Sequence, residues 1–211
     1  MTEVPIFDWQ RLEREFQQAT PLPGIVAGQS DWWQRWHQHL AERTTPRWFY
    51  TPEEAPEYFR QQWPALTRCW IDAGEKLLVD LVHAGDFRPG RLLNRDIDWG
   101  ANPTRSMSWA GFHYWSWANP LIRAYGLTRD VRFVDEFSRH QCSFFEQLDS
   151  FTPQPWDGAT EREDWRDWVV HNDLSAGIKM ATFAEALMVF ARAETWSPED
   201  ARRATLILLR L

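Results

Sequence analysis

Cysteine is scarce in this 211-residue chain: Cys69 and Cys142 are the only two. They lie far apart and lack metal-ligand spacing, so they read as two buried free thiols. No apolar run approaches the length needed to span a membrane. The start, "MTEVPIFDWQRLEREF", has no basic stretch followed by an apolar one, so it is not a secretory signal. The compartment is therefore open: cytoplasmic as the chain stands, periplasmic or secreted if a signal was removed. Nucleotide-phosphate loops (GxGxxG, GxxxxGK[ST]) and the GxSxG elbow are missing. HExxH and ExxH are missing too. His37 and His39 are two apart and point to different sides of a helix, and the other histidines are isolated. No metal and no cofactor is expected. Net charge is −7, which argues against nucleic acid and anionic membrane as partners.

Tryptophan, in contrast, is abundant: there are fifteen. Indole is large and its N–H needs a partner, so some of these rings are expected to line a cleft rather than fill a core. The stretch "SMSWAGFHYWSWANP", residues 106–120, concentrates three of them with His113. The acidic chain also has a locally basic segment. From Asp86 to Arg105, Arg88, Arg91, Arg95 and Arg105 outnumber Asp86, Asp96 and Asp98.

Apolar residues recur at three- and four-residue steps nearly throughout, and no alternating β-pattern has any length. The expected fold class is all-α, with helices paired through short loops. Phe7, Leu12 and Phe16 mark a first amphipathic helix. Asp31 is placed to cap a second, with Trp32, Trp33 and Trp36 on one side. A longer helix is expected from about Pro64 to His83, its apolar face being Leu66, Cys69, Trp70, Ala73, Leu77 and Leu81. The segment "AGDFRPGRLLNRDIDWGANPTRS" breaks the rhythm and reads as irregular. A helix is expected from Met107 to about Tyr125, with Gly126 at its C-terminus and Thr128 or Asp130 capping the next. That next helix carries Val131, Val134, Phe137, Cys142 and Phe145. A long helical segment runs from Trp165 to about Ala193, interrupted near Asn172 or Gly177. Ser197 with Pro198, Glu199 and Asp200 starts a last helix. Its face of Leu206, Leu208, Leu209 and Leu211 lacks a stop signal, so the chain reads as the N-terminal part of a longer protein.

If Met107–Tyr125 is one helix, Trp109, His113, Ser116, Trp117 and Pro120 share a side. Two readings stand for that side: an aromatic core, or a groove wall for a flat polar ligand. Asp96 and Asp98 could share a face and serve glycoside hydrolysis, or simply cap a turn. Arg166, between Trp165 and Trp168, is either part of a helix start or a recognition element for sugar and carboxylate.

Three segments fall in the order seen in the N-terminal (α/α) toroid of heparinase II/III-like polysaccharide lyases. "AGEKLLVDLVHAGDFRPGRLLNRDIDWGANP" resembles that family's helix, F-x-x-G segment and "IDW…P" motif. "WAGFHYWSWANPLIRAYGLTRDVRFVDEF" resembles its tryptophan, Arg-His pair, Ala-Tyr helix end and "TGD". "DWRDWVVHNDLSAGIKMATFAEAL" is similar to its "W-R-x-L-x-x-G-x-R" helix. Three positions depart from the pattern. Phe112 stands where the pair has arginine, Arg129 where "TGD" has glycine, and Lys179 where the third motif has arginine.

The resemblance implies that residues 1–211 form an incomplete (α/α) toroid of paired antiparallel helices. It implies β-elimination on a uronic-acid polysaccharide of the heparin, heparan sulfate or alginate kind. It also implies that the main catalytic groups lie beyond the matched region, so that this chain alone binds saccharide weakly and does not cleave it. The candidate substrate-binding residues are Trp99, Asn102, Trp109, His113, Trp165, Arg166 and Lys179. The tryptophans would stack on sugar rings or shape the cleft, His113 would hydrogen-bond substrate, and Arg166 and Lys179 would meet carboxylate or sulfate. The expected partners are an acidic polysaccharide and a C-terminal region of the same protein. A glycoside hydrolase on an (α/α) barrel and a non-catalytic helical carbohydrate-binding or scaffold domain are the alternatives.

Overall fold

In the structure, a computed structural model, residues 8–43, 55–79, 99, 114–148 and 173–210 are described. The fold is all-α, and no strand occurs among these residues. The helices are α1 (Trp9–Ala19), α2 (Trp32–Glu42), α3 (Ala55–Gln62), α4 (Pro64–Leu77), α5 (Asn119–Thr128), α6 (Arg132–Gln147), α7 (Asp173–Phe190) and α8 (Pro198–Arg210). A single 3₁₀ turn, Ser116–Ala118, leads into α5.

Local chemistry accounts for most of the boundaries. The Asp8 carboxylate accepts from the Arg11 backbone N–H at 2.8 Å and starts α1. Asp31 precedes α2, but its side chain caps nothing; it sits 3.7 Å from Arg35 in an exposed ion pair. Ser197 and Asp200 form a reciprocal capping box at α8: the Asp200 N–H donates to Ser197 Oγ (3.1 Å) and the Ser197 N–H to Asp200 Oδ2 (3.0 Å). Asp130 accepts from the Arg132 N–H at 3.0 Å and opens α6.

Two helix ends differ from expectation. Helix α5 runs through Gly126 and stops at Arg129, which takes the left-handed conformation (φ 63°) and donates its N–H to the Tyr125 carbonyl. A left-handed C-cap usually goes to glycine, yet here the side chain is arginine. Helix α4 ends at Leu77, short of His83, and Leu81 lies outside the described residues. Its buried face is Thr67, Gly74 and Leu77, while Leu66 and Cys69 are exposed. Gly74 explains this choice of face. A Cβ there would lie 2.8 Å from the Ala124 Cβ and 3.1 Å from the Phe133 ring, so only glycine lets α4 approach α5 this closely. Cys142 is half-buried, so neither free thiol is a core residue.

The core runs along α6 and α7. On α6, Phe133, Phe137, His140, Gln141 and Phe144 recur on one side. From α7, Ala176, Lys179, Phe183, Ala186, Leu187 and Phe190 face inward. Helix α7 passes Gly177 without interruption, and Asn172 lies outside the described residues. Helix α8 packs on α1, α2, α6 and α7. Leu206 and Ile207 are therefore buried in this chain, and of the leucine face only Leu209 stands exposed; Leu211 is outside the described residues. Phe16 of α1 touches Trp32, Trp33 and Trp36 of α2. The indole N–H groups anchor that cluster: Trp33 donates to Glu13, and Trp36 donates to Thr205 Oγ1 of α8 at 3.0 Å. Phe7 lies outside the described residues.

Candidate functional site

The aromatic stretch that invited a groove is not one helix. Trp115 has a left-handed backbone (φ 62°), and the 3₁₀ turn begins immediately after it. A left-handed residue rotates the chain out of helical phase. Ser116, Trp117 and Pro120 therefore do not continue a face begun before Trp115. Ser116 is exposed, whereas Trp117 is buried.

Trp115 is instead the hub of the core. It is fully buried and stacks on Trp99 with centroids 5.2 Å apart and planes within 8°. Phe183 of α7 lies 4.7 Å away, and Phe144 of α6 lies 5.2 Å away. Its indole Nε1 has no hydrogen-bond partner among the described residues. Burying an unpaired N–H costs free energy, which the aromatic contacts must outweigh.

Of the seven candidate binding residues, Trp99 and Lys179 are described; Asn102, Trp109, His113, Trp165 and Arg166 lie outside the described residues, as do Asp96 and Asp98. Trp99 is buried, with one face on Trp115 and its edge on Phe144, 5.1 Å away. Its Nε1 donates to Ser143 Oγ (3.1 Å), and its backbone N–H donates to Gln147 Oε1 (3.0 Å). No face remains for a sugar ring, so Trp99 can shape a cleft only from beneath.

Lys179 is also fully buried, with Nζ 5.7 Å from the Phe144 centroid. Burial pulls its ammonium down from the ordinary 10.5 to about 7. Near neutrality the amine is therefore divided between charged and neutral forms. A buried amine cannot meet a polymer's carboxylate directly. The structure thus joins these two residues through Phe144, in the interior rather than on an open wall.

One polar cluster was not anticipated. On α6, His140 Nε2 lies 2.8 Å from Glu136 Oε1, and Arg139 pairs with the same carboxylate. Burial pushes the Glu136 carboxyl up, but hydrogen bonds from His140 and Arg139 outweigh it and hold the carboxyl below its ordinary range. His140 stands edge-on to Trp117 at 5.0 Å, and its Nδ1 has no partner among the described residues. The sequence signal was present: Glu136 and His140 are one helical turn apart, as a carboxylate that orients an imidazole requires. Among the described residues no group of histidine, cysteine and carboxylate side chains could hold a metal ion, and no helix is long and apolar enough to cross a membrane. No family model, curated protein or solved structure matches this chain.

Proposed function

We propose that this chain is the N-terminal part of an (α/α)-toroid polysaccharide lyase that cleaves uronic-acid-containing polysaccharide by β-elimination. One observation carries the reading beyond sequence order. The three segments that carry the resemblance supply Trp99, Trp115 and Lys179, and all three meet the ring of Phe144. A second observation agrees with it. Arg129 stands where the resembling motif has glycine, and its backbone takes the left-handed conformation that glycine favours. Helices α5 and α6, and α7 and α8, are packed sequential pairs, as a toroid requires.

In this reading the chain holds substrate, and the groups that abstract the C5 proton and protonate the leaving oxygen lie elsewhere in the protein. Trp99 and Lys179 brace the groove from within. The complete protein is tested on alginate and heparan sulfate by the absorbance of an unsaturated uronate end. New reducing ends without that absorbance would place the protein with the glycoside hydrolases. The burial of Trp99 and Lys179 favours a second reading, a helical scaffold without catalysis. Saccharide binding by the complete protein with no product of either kind would establish it.

A further inference from the structure

Helices α1 and α2 are joined by the Phe16 cluster, and both pack on α8. Polar ties fix the pair there. Trp36 donates to Thr205 Oγ1 (3.0 Å), Arg202 Nη2 of α8 donates to Glu13 Oε2 (2.8 Å), and Arg192 Nε donates to the Ala41 carbonyl (2.9 Å). His37 lies in the same seam, next to Trp36 and one helical turn before Ala41. Its side chain is half-buried, yet Nε2 itself is out of contact with solvent. That nitrogen has no hydrogen-bond partner among the described residues.

A neutral ring tolerates this position, because an unprotonated Nε2 only forgoes the bond of an acceptor. A protonated ring does not. It buries an N–H donor and part of a full charge with nothing at Nε2 to receive them. Burial pulls the His37 pKa below the ordinary 6.5, although the Ala191 carbonyl and the Asp200 carboxylate favour the charged ring.

The other charged groups around the seam are engaged elsewhere. From α8, Asp200 is shared between Ser197 and Arg203, and Arg202 pairs with Glu13 of α1 and with Glu199. From the turn after α7, Arg192 donates to the carbonyls of Ala41 and Arg43. On α2 itself, Asp31 and Arg35 pair in solvent, Glu42 accepts from Gln38, and His39 stacks on Trp36. Among the described residues, none of these groups lies within hydrogen-bond reach of His37 Nε2.

We infer that His37 is a proton-sensitive latch: protonation of its imidazole loosens the α1–α2 pair from α8 and opens the seam between Trp36 and Thr205. The inference does not rest on the lyase reading. Between 6.5 and the lower docked value, the released ring holds its proton more tightly than the docked one. Docking therefore weakens as pH falls through that window, and His37 has no effect on it above the window. Amide hydrogen exchange at pH 7.5 and pH 5, corrected for intrinsic rates, tests this on the chain as it stands. The α2 amides should lose about threefold or more in protection relative to those of α6. His37→Gln cannot take up the proton and should abolish that loss. His39→Gln should preserve it, although that ring lies against Trp36. The unsubstituted protein decides first: α2 protection that tracks α6 at both pH values would overturn the inference. A loss that persists in His37→Gln, or disappears in His39→Gln, would overturn it as well.

Discussion

Trp99 and Trp115 lie face to face, 5.2 Å apart and within 8° of parallel, and Phe144 meets the edges of both. This stack joins Trp99 to the left-handed residue that precedes the 3₁₀ turn before α5. The two differ in how their polar atoms are treated. Trp99 Nε1 reaches Ser143, whereas Trp115 Nε1 has no partner among the described residues. Trp115→Phe should therefore be mild, about 1–2 kcal/mol, because lost contact area is offset by removal of an unpaired N–H. Trp115→Ala should cost roughly 3–5 kcal/mol. Urea unfolding of both variants measures the difference, and equal losses would deny Trp115 its place as packing hub.

Lys179 ties stability to pH in a defined direction. Its folded pKa is about 7 against an ordinary 10.5, so between these values the unfolded chain binds more protons than the folded one. Stability should rise as pH increases from about 7 towards 10.5, and the penalty of burying the charge is fully present below about 7. Lys179→Met should remove that rise and stabilise the protein at pH 6 by on the order of 4 kcal/mol. Denaturant midpoints at pH 6, 8 and 10 read this out. Parallel pH profiles for the two proteins would show that Lys179 is not desolvated.

Glu136 works in the opposite sense. Its carboxyl is held below the ordinary value of 4.5 by His140 and Arg139, against the effect of burial. It therefore contributes stability that is present above that value and is lost as pH falls through the lower folded one. Glu136→Gln should cost about 1–3 kcal/mol at pH 7 and flatten the acid limb of the unfolding curve. An unchanged acid limb would mean that the pairing contributes nothing.

Gly74 tests the α4–α5 contact. Gly74→Ala would gain helix propensity, about 1 kcal/mol, but its new methyl would press on Ala124, Phe133 and the Pro120 carbonyl at 2.8–3.3 Å. Overpacking should win, for a net loss of roughly 1–2 kcal/mol. Thermal unfolding checks the sign, and a stabilised variant would show that the two helices part easily.

These residues also show what the sequence could reveal. Caps were legible where a side chain bonds its own neighbourhood, as at Ser197 with Asp200 and at Asp130 with Arg132. The face of α6 was legible only in part: Val134 and Phe137 are buried as expected, whereas Val131, Cys142 and Phe145 are half-buried and Phe133 and Phe144 take the core positions. The break at Trp115 was not, because tryptophan carries no intrinsic preference for a left-handed backbone; long-range packing on Trp99, Phe144 and Phe183 holds it there. Gly126 misled because glycine is the usual helix stop, whereas here Arg129 takes that conformation. The face of α4 was misjudged for a related reason. Leu66 and Cys69 are more apolar than Thr67 and Gly74, but closeness of approach decided which side was buried. Of the candidate site, Trp99 and Lys179 were expected against substrate but are buried, and their shared neighbour Phe144 was not anticipated.

The most direct test of the account is the chemistry of the product. The complete protein is incubated with alginate and with heparan sulfate, and absorbance of a 4,5-unsaturated uronate end is followed against time. The account predicts rising absorbance on at least one polymer, with one new unsaturated end for each new reducing end. Chain cleavage that yields saturated ends would contradict it.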